Sequence, residues 1–384
     1  MASPRPTSIS LPDTLDPNGI LLSKFVKVRE FVDTLLSRQL PNGMQAVLTD
    51  EAFYTDHGLN HIRSVVSRLG VLNALLPQHL VERECFLLLV AAYCHDVGML
   101  LGRHAGESQS ETRAFHHERS AELVREFAEK GHIELDNFEL PVVEAIVKAH
   151  RIVDLDQIRE EHRILGVPIR TRLLAALLRV ADACDIDHSR APESVFNFFE
   201  DIIPPLSRDH WARHQIVSDV EFNTERASIV LSADLGRQFT ERIEKARMAN
   251  TIRKQLERER EAVSDTLSQY GIYLHRVEVK DYEEDHYVQL SEPSVTENYV
   301  LVGLTSSVTS IQPLHDATEP YLAGGAGPAL IVEIEPPEGP LFISTKWRIE
   351  PLRLADLEDA IKNSMTTDVV YFTGSSRAET VIPH

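Results

Sequence analysis

A chain of 384 residues with 43% hydrophobic and 26% charged residues has ample material for a packed core and suits two domains. Its formal net charge of −20, from 59 acidic against 39 basic residues, disfavours tight binding to nucleic-acid backbones, which depends on Lys and Arg neutralising phosphates. No stretch reaches the roughly 18 apolar residues of a membrane span, and the start, MASPRPTSISLPDTLD, lacks the layout of a signal peptide, so a cytoplasmic protein without membrane contact is expected.

Residues 1–19 are rich in Pro, Ser, Thr and Asp and read as a loose, flexible N-terminal arm. From there to about residue 200 the pattern is helical. Ile62, Val65, Val66 and Leu69 mark an amphipathic helix that carries His61 in its first turn. The run Cys85–Cys94 is apolar on all sides, as in a central helix, and it ends in His95-Asp96-Val97-Gly98, with Gly98 as a helix stop. Residues 100–116 read as an excursion, after which His117-Glu118-Arg119-Ser120 opens a helix with Ala121, Val124 and Ala128 on one face. Another helix starts at Pro141, and its stripe of Val143, Ile146 and Val147 continues into His150. Leu173 to Ile186 is a second all-round apolar helix that carries Asp182.

Beyond residue 200, residues 215–221 and 227–232 read as a hairpin around Asn223-Thr224-Glu225, followed by a long charged helix over 235–269. The acidic segment 280–286 leads to strand-like runs, YVLVGLTSSV, PALIVEIEP, PLFISTKWRI and DVVYFTG, with one helical stretch at 354–365. The glycine-rich 324–328 reads as a turn, because it lacks a following Lys-Ser/Thr. The cysteines, Cys85, Cys94 and Cys184, show no CxxC spacing and indicate neither a disulfide framework nor a thiolate zinc site.

Six potential metal donors stand out: His61, His95, Asp96, His117, His150 and Asp182, spread over about 120 residues. Most lie within or at the ends of apolar helices, where an unpartnered imidazole or carboxylate costs several kcal/mol. Each interval is about one helix plus a connection, which suits a bundle whose neighbouring helices aim side chains at one point. Mixed imidazole and carboxylate donors fit one or two divalent ions of manganese, iron, magnesium, cobalt, nickel or zinc, and disfavour calcium. Such a cation lowers the pKa of bound water toward 7, supplying hydroxide as a nucleophile, and polarises a phosphoryl oxygen. His116 adjoins His117; the following Glu-Arg-Ser-Ala favours His117 as the donor.

The segments DHGLNHIRSVVSRL, AAYCHDVGML, HHERSAELV, IVKAH and LLRVADACDIDHSR resemble the HD superfamily of metal-dependent phosphohydrolases, in order and over about residues 50–200. The wording around His57-Gly58 and Asp185 to Arg190 resembles its stand-alone bacterial members. The resemblance implies that His61, His95, Asp96 and Asp182 are core metal ligands, with Asp96 bridging if two ions bind. His117 and His150 would be further ligands or, with Asp96, catalytic groups. HDVGM and the lack of a Gly-Tyr-Pro set the chain apart from the members that hydrolyse cyclic diguanylate.

The expected architecture is mainly α: an HD-type helical catalytic domain over 20–200, a β-hairpin and long-helix extension over 201–285, and a small α/β domain over 286–384. The expected substrate is a small phosphorylated or nucleotide-like ester, with Arg103, His104 and Arg190 as substrate contacts. Asp185 and Arg190 could instead form an ion pair, and His57, one turn before His61, is either a support for the site or a helix cap. The C-terminal domain is expected to bind a protein partner or to mediate oligomerisation. A metal-dependent nuclease and a nucleotide-sensing adaptor with little turnover are the alternatives.

Overall fold

The computed structural model of the chain describes residues 9–39, 58–101, 109–151, 153–191, 196, 205–235, 242–281, 286–287, 299–305, 329–335, 341–348, 369–374 and 377–383. These fall into two compact units, Met1–Val288 and Gln289–His384. The described residues are mainly helical, with small sheets.

The first unit is built around helix α3 (Glu82–Cys94), whose residues from Glu84 onward are all buried. A helix apolar on every side is stable only with neighbours all round, and α3 packs against α1 (Ile20–Gln39), α2 (Leu59–Leu75), α5 (Gln109–Glu129), α6 (Leu140–Lys148) and α7 (Thr171–Ala183). Those neighbours are amphipathic in the expected way. Leu21, Phe25, Val28, Val32 and Leu36 form the buried stripe of α1, and Phe25 meets Tyr93 of α3 edge to face at 5.4 Å. A short helix, α4 (Val97–Leu100), follows α3 directly after His95-Asp96. An ion pair between buried Glu84 and half-buried Arg170 fastens α3 to α7 at their N-termini: Arg170 donates its Nε and its backbone N–H to Glu84 Oε1, both at 2.9 Å, and a terminal nitrogen to Oε2 at 2.6 Å.

Residues 9–15 correct the expectation of a loose arm. Leu11 and Leu15 are buried, and the Ile9 amide donates to the Gly70 carbonyl at 3.3 Å. Gly70 permits the contact, because a Cβ there would strike the Ile9 carbonyl. The composition pointed the wrong way because two leucines anchor an otherwise polar segment.

Two small sheets complete this unit. Strands β1 (His162–Ile164) and β2 (Val167–Ile169) form a hairpin beyond the elements expected from sequence, turning through Leu165 and Gly166 at positive φ. Helix α8 (Pro205–Ile216) leads into the expected hairpin of β3 (Val217–Asn223) and β4 (Ser228–Ala233). The long helix α9 (Arg242–Gln269) packs on α7 and returns the chain to β5 (Arg276–Asp281), which pairs parallel with β4, while β6 (His286–Tyr287) closes the edge. Strand β5 lies in a stretch for which the sequence suggests no element, and only its last two residues fall in the acidic segment 280–286. Its alternating buried Val277, Val279 and Asp281 make it a half-buried strand.

The second unit contains a five-stranded mixed sheet in the order β11-β10-β7-β8-β9. Strands β7 (Tyr299–Thr305) and β8 (Ala329–Glu335) are parallel, and β9 (Leu341–Arg348), β10 (Val369–Gly374) and β11 (Arg377–Pro383) join antiparallel. Four of these strands match the runs read from the sequence, and β11 adds a fifth. The helical stretch expected at 354–365 and the turn at 324–328 lie outside the described residues.

Candidate metal centre

Each helical element delivers its donor from an end or from a buried stripe. His61 lies in the first turn of α2, after Gly58 at the N-cap. His95 is the C-cap of α3 and Asp96 the N-cap of α4, so one sharp turn aims two successive side chains into the bundle. His150 follows the C-cap of α6, and Asp182 sits in the last turn of α7.

The donors converge closely. His61 Nε2 and His95 Nε2 are 3.0 Å apart; Asp96 Oδ2 is 3.3 Å from the first and 3.2 Å from the second. Asp182 Oδ1 lies 3.2 Å from His61 Nε2 and 3.5 Å from His95 Nε2. The other oxygen of Asp96, Oδ1, stands 3.2 Å from His116 Nε2 and 3.5 Å from His150 Nε2, and those two nitrogens are 3.0 Å apart. Two donor groups result, His61-His95-Asp96-Asp182 and Asp96-His116-His150, joined through one carboxylate.

The hydrogen bonds behind the imidazoles decide what these groups can do. The Nδ1 atoms of His95, His116 and His150 face the carbonyls of Ala92, Arg113 and Val147 at 2.8, 2.7 and 2.5 Å, and that of His61 faces Asp185 Oδ2 at 2.6 Å. A carbonyl or carboxylate only accepts, so each Nδ1 must donate. In the neutral imidazoles this leaves the lone pair on Nε2, and within each group two such lone pairs face one another. A shared cation would relieve that repulsion. Donors clasping one ion at about 2.1 Å stand roughly 3.0–3.4 Å apart, so the spacing also fits. These clustered histidines and aspartates could hold divalent metal ions.

Without a cation, protons fill the same role. Burial and the Arg190 charge oppose protonation of His61, but the carboxylates of Asp182, Asp185 and Asp96 outweigh them and raise its pKa to about 9. His95 is likewise raised: burial opposes protonation, and Asp96 and Asp182 prevail. Burial works against ionisation of Asp96 and Asp182, yet the surrounding histidines hold both well below the usual carboxylate range. Asp182 keeps a side chain 23% exposed, against 9% for Asp96 and none for His61 and His95, and so marks the open side of the centre.

A family model described as HD-CE matches residues 51–264, more than half of the chain. The chain belongs to the HD-CE family. The HD-CE match runs past the helical bundle through the β3–β4 hairpin and into α9, beyond the boundary at 200 drawn from sequence. No curated protein and no solved structure matches the chain.

Within this HD-CE chain the structure brings together five of the six expected donors, His61, His95, Asp96, His150 and Asp182, and replaces the sixth. The preference for His117 over His116 is corrected: His116 reaches Asp96, whereas His117 belongs to neither group. Helix α5 begins at Gln109, not at His117, and its register is set by close packing against α4. A Cβ on Gly98 would strike the His116 carbonyl and lie 2.8 Å from the Ser120 amide, and Ser120 Oγ accepts the Gly98 N–H at 2.9 Å. His116 is one turn before Ser120 on the same face. Gly98 is thus a point of close approach inside α4 and not a helix stop. His117 is buried, its ring 5.9 Å from that of His116, and its Nδ1 finds no hydrogen-bond partner among the described residues. Burial and the neighbouring His150 and His116 push its pKa down to about 3.

Arg190 also departs from expectation. It is buried, donates to the Asp185 carbonyl at 3.1 Å and stands 3.9 Å from its carboxylate, so the ion pair describes it better than a substrate clamp. Arg103, His104 and His57 lie outside the described residues. Asp185, which no expectation placed beside a ligand, is the acceptor of His61. Its position three residues after Asp182 was a signal that could have suggested it.

Proposed function

We propose that the chain is a metal-dependent phosphohydrolase acting on a phosphomonoester or phosphodiester of a nucleotide-like substrate. The observation that carries this reading is the carboxylate of Asp96 facing two donor groups, one through each oxygen. His61, His95, Asp96 and Asp182 would hold one divalent ion, and Asp96, His116 and His150 a second. Such ions polarise a phosphoryl oxygen and lower the pKa of bound water.

The residues supply the rest. The Nδ1 bonds of the four histidines keep the imidazoles fixed, so the centre is pre-organised before substrate arrives. Asp182, on the open side, lies where an incoming ester would meet the donors. The acidic balance of the chain favours a small nucleotide over a polymer, whose backbone would need clustered Lys and Arg.

Metal analysis of the purified protein, coupled to a screen of mono-, cyclic and polymeric nucleotides, tests the proposal. Turnover of a small phosphate ester that disappears in Asp96→Ala, with the variant still folded, is expected. Fully metal-loaded protein that binds nucleotides without hydrolysing any would overturn it in favour of a sensing or adaptor role, and selective cleavage of polymers would make it a nuclease.

A further inference from the structure

We propose that Asp185 is the positioning carboxylate of the metal centre, fixing the tautomer and orientation of His61 and strengthening it as a donor. The inference rests on the metal-binding reading above and adds a residue to it.

Among the four converging histidines, His61 is the exception. The other three give their Nδ1 proton to the carbonyl three residues earlier in their own chain segment. His61 gives its proton to a carboxylate 124 residues away, at 2.6 Å, with both side chains fully buried. A carboxylate accepts this proton with a full negative charge, where a carbonyl offers only a dipole. It therefore leaves the opposite nitrogen, Nε2, richer in electron density and better suited to a cation.

A buried carboxylate is costly unless it is compensated, and Asp185 is compensated from every side. The Ser64 hydroxyl, one turn after His61 on α2, donates to its Oδ1. Arg68, a further turn along α2, brings its Nε to 3.7 Å from Oδ1, and Arg190 stands 3.9 Å from Oδ2. The backbone holds it as well: the Asp185 amide donates to the carbonyl of Asp182, and its own carbonyl accepts from Arg190 at 3.1 Å. Arg68 extends the cluster, donating to Asp187 Oδ2 and to the Val220 carbonyl of β3, each at 3.0 Å. One α2 face, His61-Ser64-Arg68, thus clasps the turn after α7 that follows Asp182.

The charges are consistent with a support and not with a ligand. Asp96 and Asp182 turn their carboxylates toward the donor nitrogens, where a cation would offset their charge, whereas Asp185 is balanced by Arg68 and Arg190. Its Oδ2 is committed to His61 Nδ1, on the side of the ring away from Nε2.

The test uses Co²⁺ as the probe, titrated into the full chain and followed by visible absorption and calorimetry. Asp185→Asn keeps the shape and an accepting oxygen but removes the charge. It is expected to bind Co²⁺ about 10–100-fold more weakly than the parent at unchanged fold, the usual scale for a partner behind a ligand. The same loss should persist in a His116→Ala background, because His116 belongs to the other donor group. A role confined to loop stability would lower the melting temperature without moving Co²⁺ affinity.

Asp182→Asn, which removes a direct donor, is the reference. If Asp182→Asn loses Co²⁺ while Asp185→Asn binds like the parent, the inference fails and the metal-binding reading stands. If the parent binds no Co²⁺, both fail. Should Asp185→Asn not fold, Ser64→Ala decides: it leaves the carboxylate and withdraws one of its donors, so a several-fold loss of affinity supports the inference and unchanged affinity overturns it.

Discussion

His116 Nε2 lies 3.2 Å from Asp96 Oδ1, the carboxylate oxygen that His61 and His95 do not face. The two oxygens of one side chain therefore serve two sets of histidines. His117, adjacent in sequence, is turned out of both.

Variants of the two neighbours are expected to differ sharply. His116→Ala removes a donor, so metal content, and with it the proposed phosphoesterase activity, should fall by more than the roughly 10–100-fold typical of changes outside a ligand set. His117→Ala removes a buried imidazole whose Nδ1 has no hydrogen-bond partner among the described residues, and should leave metal content close to that of the parent. Equal metal loss in both, measured by elemental analysis, would sink the assignment of His116.

Gly98→Ala is expected to damage the centre without touching a donor. Alanine is the better helix former by about 1 kcal/mol, but here its Cβ would meet the backbone of α5, which cannot yield as a flexible side chain does. Forcing α5 away from α4 should cost about 1–3 kcal/mol and carry His116 out of reach of Asp96. Urea denaturation together with metal analysis checks both effects; a variant more stable than the parent with full metal content would show that the close approach is not real.

Much of the centre was legible in the sequence because donors in apolar stripes are conspicuous. His150 continues the stripe of Val143, Ile146 and Val147, and His95-Asp96 ends a wholly apolar helix, so both demanded partners. The choice between His116 and His117 was not legible, since both are buried and the register of α5 depends on a contact between Gly98 and Ser120, 22 residues apart. Asp185 was harder to read for a related reason: its spacing from Asp182 places it near the centre, but its partner His61 is 124 residues away in sequence. The hairpin and long helix were readable from their periods, whereas β5 was masked by the acidic residues that follow it.

Arg170 and Glu84 offer a test of what holds the ligand-bearing helices in place. Glu84 is 1% exposed and accepts three hydrogen bonds from Arg170, which also caps the Gln78 and His79 carbonyls. Arg170→Ala would leave Glu84 buried without its cation, a change that typically costs about 3–5 kcal/mol. Denaturant unfolding should show a loss of that size, and restoring stability with Glu84→Gln in the same background would identify the stranded charge as the cause. A loss below about 1 kcal/mol would place the pair with ordinary surface ion pairs.

The dependence of stability on pH should change with metal loading. In protein stripped of metal, burial and Arg190 oppose a proton on His61, but Asp182, Asp185 and Asp96 prevail and raise its pKa from 6.5 to about 9. A group whose pKa is raised on folding contributes stability that is fully present below its unfolded value and is lost as pH rises through the folded one. The stripped protein should therefore weaken between pH 6.5 and about 9. The depressed carboxylates Asp96 and Asp182 act only on the acid side and do not enter this window. A cation needs His61 unprotonated on Nε2, so metal binding releases protons and tightens as pH rises over the same range. Melting curves with chelator and with excess Co²⁺, at about pH 6 and about pH 9, should show a gap that widens toward the higher pH. A gap that narrows would mean that protons and metal do not compete for the same nitrogen.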